Sequence, residues 1–127
     1  MNVSNEMLQK EMVGHTFTSV APSANDAELI FESDTLRVRF YHKDECCEIV
    51  QLEEIIGDLT DLEGSPILLA EEVTSEDCHI SDLDRDLESF TWTFYKFATM
   101  KGAVTVRFLG SSNGYYSESV DIEFETK

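Results

Sequence analysis

Residues Ser89–Phe124, SFTWTFYKFATMKGAVTVRFLGSSNGYYSESVDIEF, decide how the chain is read. From Phe90 the residues alternate: Phe90, Trp92 and Phe94 fall on one side, Thr91, Thr93 and Tyr95 on the other. A period of two in a run rich in aromatic and β-branched residues marks a half-buried strand. Met100, Lys101 and Gly102 make a short turn, after which Val104, Val106 and Phe108 resume the alternation. Gly110 to Gly114 is a turn cluster, and its Asn113-Gly114 pair is a strong hairpin signal. Val120, Ile122 and Phe124 then alternate with Asp121, Glu123 and Glu125, so the last strand turns one face to water. The stretch predicts three consecutive antiparallel strands.

Upstream, Glu28–Glu32 and Leu36–Tyr41 read as a hairpin around Ser33 and Asp34. In its second strand Leu36, Val38 and Phe40 face inward, while Arg37 and Arg39 face out to pair with acids on neighbouring strands. Gly14–Val20 is expected to be the first strand, preceded by a short helix or frayed arm over residues 1–13. In Gln51–Ile56 and Asp58–Leu62 the apolar residues recur every three to four positions. That spacing predicts one or two helical turns broken at Gly57, with Asp58 capping the second. Ile67–Thr74 reads as a strand and Ser75–Glu88 as a polar loop. The expected fold is α+β and mostly antiparallel β: a single curved sheet of six or seven strands with a short helical element packed on it. At 127 residues the chain is one domain by length, able to bury a core without disulfides or metal.

The formal net charge is -17, and it is unevenly placed. Asp44–Glu88 holds 16 acids against one base, Arg85. Such a field repels nucleic acid and anionic lipid and attracts basic proteins, raising their association rate at low salt. The plainer reading is that acidic surfaces keep proteins soluble. No apolar run approaches a membrane span, and the N-terminus lacks the pattern of a secretory signal, so a cytoplasmic location is expected. Three cysteines, two of them adjacent at Cys46 and Cys47, fit reduced thiols better than a disulfide framework.

Candidate chemistry is sparse. His42, Asp44, Cys46, Cys47 and Glu48, with Cys78 and His79 further on, are the right ligand types for zinc. Adjacent residues on a strand point to opposite faces, however, which argues against joint ligation by Cys46 and Cys47. Asp82, Asp84, Asp86 and Glu88 resemble the opening of a calcium loop, but Leu87 stands where glycine is needed and Thr93 where the bidentate acid belongs. No phosphate loop or H-E-x-x-H motif occurs. The chain is read as a non-enzyme without metal or cofactor. Tyr115 and Tyr116 beside the Asn113-Gly114 turn, and Tyr95 opposite Trp92, are read as exposed aromatics that either anchor a partner or cap the core.

Several stretches occur together in one order. They are H-x-D-x-C-C-E at His42–Glu48, Gly57-Asp58-Leu59, G-S-P-I-L-x-A-E-E at Gly64–Glu72, T-W-T-F-Y-K-F-A-T at Thr91–Thr99 and S-N-G-Y-Y-S-E at Ser112–Glu118. Across roughly residues 13–125 this resembles a family of small phage and prophage proteins of unknown function that carry these CCE and SNGYYSE signatures. The resemblance implies a virus-encoded accessory protein of the bacterial cytoplasm and carries over no catalytic residue. The expected function is to bind and inhibit or modulate a host protein with a basic surface, one that handles nucleic acid or serves antiviral defence, with DNA mimicry as one version. The expected binding face is Asp58, Asp61, Glu71, Glu72, Glu76, Asp77, Asp82, Asp84 and Asp86. The alternatives are a small-ligand or metal-binding module centred on His42–Glu48, and a homodimer that hides an edge strand.

Overall fold

The computed structural model describes residues 3–23, 27–42, 49–75, 89–112 and 119–127. A helix, α1 (Val3–Glu11), is followed by β1 (Ser19–Pro22), β2 (Leu29–Glu32), β3 (Leu36–Tyr41) and β4 (Ile49–Ile56). A 3-10 turn (Leu59–Leu62) leads to β5 (Leu69–Ser75), β6 (Ser89–Thr99), β7 (Gly102–Ser112) and β8 (Asp121–Thr126).

These strands form two four-stranded antiparallel sheets, ordered β1-β2-β3-β8 and β4-β7-β6-β5. The expected single curved sheet of six or seven strands is therefore wrong. The point of departure is β8, which leaves the β6–β7 hairpin and pairs with β3, setting Val38 against Phe124 and Phe40 against Ile122. The reason lies in the inner faces. Phe31 and Phe40 of the first sheet meet Tyr95 and Phe97 of the second, with Phe31–Phe97 centroids 4.8 Å apart and Phe40–Tyr95 4.7 Å. One open sheet would leave one of these apolar faces wet. Two facing sheets bury both, each large side chain contributing about 1.5–3 kcal/mol. The hairpin β2–β3 has its expected alternation, and Arg39 lies within 3.6 Å of Glu123 and 3.5 Å of Glu28.

Gln51–Ile56 is strand, not helix. A bulge shifts the register between Leu52 and Glu54, so Leu52 and Ile55, three residues apart, both pack against the core. The bulge converts a period of two into a spacing of three, which in sequence looks helical. Asp58 does cap the following turn: its Oδ1 accepts from Thr60 N at 2.9 Å. The first strand begins later than expected, at Ser19. The residues before it make only isolated bridges, Val13 to Ile67 and Thr16 to Pro66.

Helix α1 closes the free edge of β5. The Asn5 side chain donates to Glu72 O at 3.1 Å and accepts from Glu72 N at 2.6 Å, and Gln9 donates to Ala70 O at 3.1 Å. Residues four apart on a helix share a face, and alternate residues of a strand point their backbone groups the same way, so the two amides stand in for a missing strand.

Candidate functional site

The expected acidic face divides. Asp58 and Asp61 flank and form the 3-10 turn at one end of the second sheet. Asp61 O accepts from Thr99 Oγ1, and its carboxylate lies against the Cα of Gly102, where a Cβ would stand 2.6 Å from Oδ2. Hydrogen bonds from the side chain and backbone of Thr60 hold the Asp58 carboxyl below its ordinary value. Glu71 lies on the outer face of β5, directly opposite Lys96. Glu72, the next residue along the strand, points inward and is only 8% exposed. The pleat thus puts Glu71 and Glu72 on opposite faces, and one docking surface does not contain both. Glu76, Asp77, Asp82, Asp84 and Asp86 lie outside the described residues, as do Asp44, Cys46, Cys47, Glu48, Cys78, His79, Tyr115 and Tyr116.

Tyr95, read from sequence as an exposed aromatic, is fully buried. Its alternation set, Thr93, Tyr95 and Phe97, is the inner one, and Trp92 and Phe94 face outward. Arg107 sits 4.6 Å from the Trp92 ring centroid and forms a 2.7 Å ion pair with Glu54. Tyr95 Oη donates to Glu72 Oε2 at 2.6 Å. Burial, and then the Glu72 carboxylate, push the Tyr95 phenol far above its ordinary value, so it is a fixed donor.

Beside this pair the sandwich opens into a cavity of about 350 Å³ where β8 passes β5 and α1. Glu72, Thr93 and Asp121 contribute its polar wall, and Met7, Val120 and Phe124 much of its apolar wall. Thr93 is 1% exposed, and its Oγ1 has no hydrogen-bond partner among the described residues. Near its mouth, His42 Nδ1 lies 2.9 Å from Ser119 O and 3.8 Å from Asp121 Oδ2. A carbonyl only accepts, so the contact places a hydrogen on Nδ1. Of the residues singled out as metal ligands, only His42 is described. Among the described residues no three His, Cys, Asp or Glu side chains gather as a metal site.

Sequence reasoning named Glu72 but missed Thr93, Ser119 and Asp121. Thr93 reads as an ordinary strand threonine, and Asp121 as the solvent side of the last strand. Only the pairing of β8 with β3 brings them to one cavity. Among the described residues no helix is long and apolar enough to cross a membrane.

The model of a domain of unknown function, DUF7448, matches residues 10–122. No curated protein and no solved structure matches the chain.

Proposed function

We propose that this chain, which belongs to the DUF7448 family, is a phage-encoded acidic accessory protein that binds and inhibits or modulates a basic host protein. The target class is a nucleic-acid-handling or antiviral-defence protein of the bacterial cytoplasm, and DNA mimicry is the specific version to test. One observation supports this reading above the others. In the first sheet Arg39 pairs with Glu28 and Glu123, and Lys127 just beyond β8 pairs with Glu32. In the acid-rich segment Glu54 pairs with Arg107, whereas Glu53, Asp58, Asp61, Glu63 and Glu71 make no ion pair among the described residues. Uncompensated carboxylates there, continuing in sequence into Glu76, Asp77, Asp82, Asp84 and Asp86, leave a field that a cationic surface would neutralise.

The test is a tagged pull-down from host lysate at low salt, with a stepwise salt elution and mass spectrometry. The reading requires a basic protein that salt releases and that the triple variant Glu71→Lys, Asp82→Lys, Asp84→Lys no longer retains. Retention that salt does not weaken would remove the mimicry version. Retention by the triple variant would remove the acidic surface altogether. In the alternative, a small-ligand or metal-binding module centred on His42–Glu48, His42 could not ligate through Nδ1, which donates to Ser119 O.

A further inference from the structure

We infer that the outer edge of β4 is a docking site for an extended basic segment of a partner protein, added to the second sheet as a further strand. The inference rests on the reading of a basic partner above and says which part of this chain meets it. Three observations carry it.

The first is that β4 has an open side. It pairs with β7, and among the described residues no hydrogen bond reaches its other edge. Each other outer strand has a neighbour. Asn5 and Gln9 bond to β5, the Glu63 carboxylate accepts from Val20 N of β1 at 2.8 Å, and β8 shares a cavity with Met7 of α1. Backbone N–H and C=O groups along an open edge are a template for another strand, and β4 offers them over eight residues.

The second is a pair of isoleucines. Ile49 and Ile56 stand at the two ends of β4 and are 56% and 54% exposed. Their neighbours Val50 and Ile55 pack into the core, so both isoleucines lie on the outer face. Their partners on β7, Ser111 and Thr105, are six residues apart. A strand added outside β4 covers both isoleucines if it carries apolar residues at that same spacing. The third is charge. Between the isoleucines lie Glu54, paired with Arg107, and Glu53, the exposed extra residue of the bulge, which has no ion pair among the described residues. A second copy of β4 would bring two more glutamates against these, which like-charge repulsion disfavours. A lysine or arginine is favoured there, as Arg107 is on the β7 side. Main-chain bonds would supply affinity, and the apolar and basic side chains selectivity.

The test is an amide-resolved NMR titration of the full chain with the peptide acetyl-ITKTKTI-amide, in about 0.15 M salt to screen the surface acids. The peptide is palindromic, so either strand direction presents the same side chains. The expected result is saturable shifts along β4 and slowed hydrogen exchange there, with β3 unmoved, and no saturable shift with acetyl-ITETETI-amide. Two N-methylated forms separate strand addition from adsorption of charge, one methylated at threonine and one at isoleucine and lysine. Successive residues of a strand point their N–H groups to opposite edges, so one form should fail and the other bind. Glu53→Lys should weaken ITKTKTI at least about threefold and admit ITETETI. Shifts that do not saturate, or that spread over the acidic surface, would overturn the inference. So would N-methylated forms that behave alike, or a Glu53→Lys variant that binds ITKTKTI as well as the parent. A basic protein captured in the pull-down while β4 stays silent would remove this inference and leave the acidic-surface reading standing. Peptide on β4 with no protein captured would do the reverse.

Discussion

Tyr95 Oη and Glu72 Oε2 are 2.6 Å apart, and the two residues stand directly opposite each other on β6 and β5. The pair places a carboxylate inside the sandwich, beside a Tyr95 ring that packs 4.7 Å from Phe40. Tyr95→Phe keeps the ring packing and removes one donor from a buried carboxylate. The expected loss is about 1–3 kcal/mol of stability, measured as a lower urea midpoint at unchanged slope. A midpoint that does not move would mean that the hydrogen bond has no net value in the folded state.

The same pair sets an alkaline limit. The folded phenol titrates far above the unfolded one, whose ordinary value is 10.0. A raised folded pKa contributes stability that is whole below the unfolded pKa and declines as pH rises beyond it. Thermal unfolding should therefore lose midpoint steadily above about pH 10, with Tyr95 ionising only as the chain unfolds. Tyr95→Phe should flatten that decline. Phenolate absorbance that appears for all tyrosines well before unfolding would contradict this.

At the acid end Asp58 has the opposite sign. Thr60 lowers its pKa from 3.8, so the cap stabilises the 3-10 turn above that value. The contribution is lost as pH falls through the lower folded pKa. Asp58→Ala should lower the melting temperature at pH 7 and change little at pH 2. An equal loss at both values would show that the side chain acts by something other than its charge-assisted hydrogen bonds to Thr60.

The strands with clean alternation, β3, β6 and β7, were legible because each has one wet face and one dry face, and a period of two records that directly. The Asp58 cap was legible for the same reason, since its chemistry is local. What the sequence hid is non-local. The departure of β8 from the hairpin to β3 leaves no mark in either strand, because Val120, Ile122 and Phe124 would suit any apolar neighbour. The bulge in β4 imitates a helix by spacing Leu52 and Ile55 three apart. Glu72 sits beside Glu71 in an acidic run, and only the phase of the pleat, set by Ala70 packing into the core, turns it inward. The cavity inherits all of this, drawing its wall from three strands and a helix.

Asn5 and Gln9 make a separable claim about the edge of β5. Their amides satisfy Glu72 N, Glu72 O and Ala70 O, groups that would otherwise offer a template for another strand. Asn5→Ala, Gln9→Ala should cost about 0.5–1.5 kcal/mol for each bond lost. The sharper readout is hydrogen exchange, in which the Glu72 amide should lose protection while Val106 in the central β7 keeps its own. Concentration-dependent association of the double variant would show the uncovered edge finding a partner strand. Unchanged protection at Glu72 would mean that α1 is not what covers it.

Gly57 joins β4 to the 3-10 turn at a φ of +116°, and its Cα is pressed against β7. A Cβ there would lie 2.8 Å from Ala103 O and 3.2 Å from both Cα and Cγ2 of Val104. Two of those three atoms are backbone, held in place by the β6–β7 ladder, so they cannot move aside cheaply. Gly14 provides the control: its φ of +89° is also left-handed, but a Cβ there would meet nothing within 4 Å. Gly14→Ala should therefore cost only the backbone strain, about 1–3 kcal/mol. Gly57→Ala should cost clearly more, with chemical-shift changes at Ala103 and Val104 as β7 is displaced. If the two alanine variants lose equal stability by urea denaturation, the close approach of Gly57 to β7 contributes nothing, and its positive φ alone is what requires glycine.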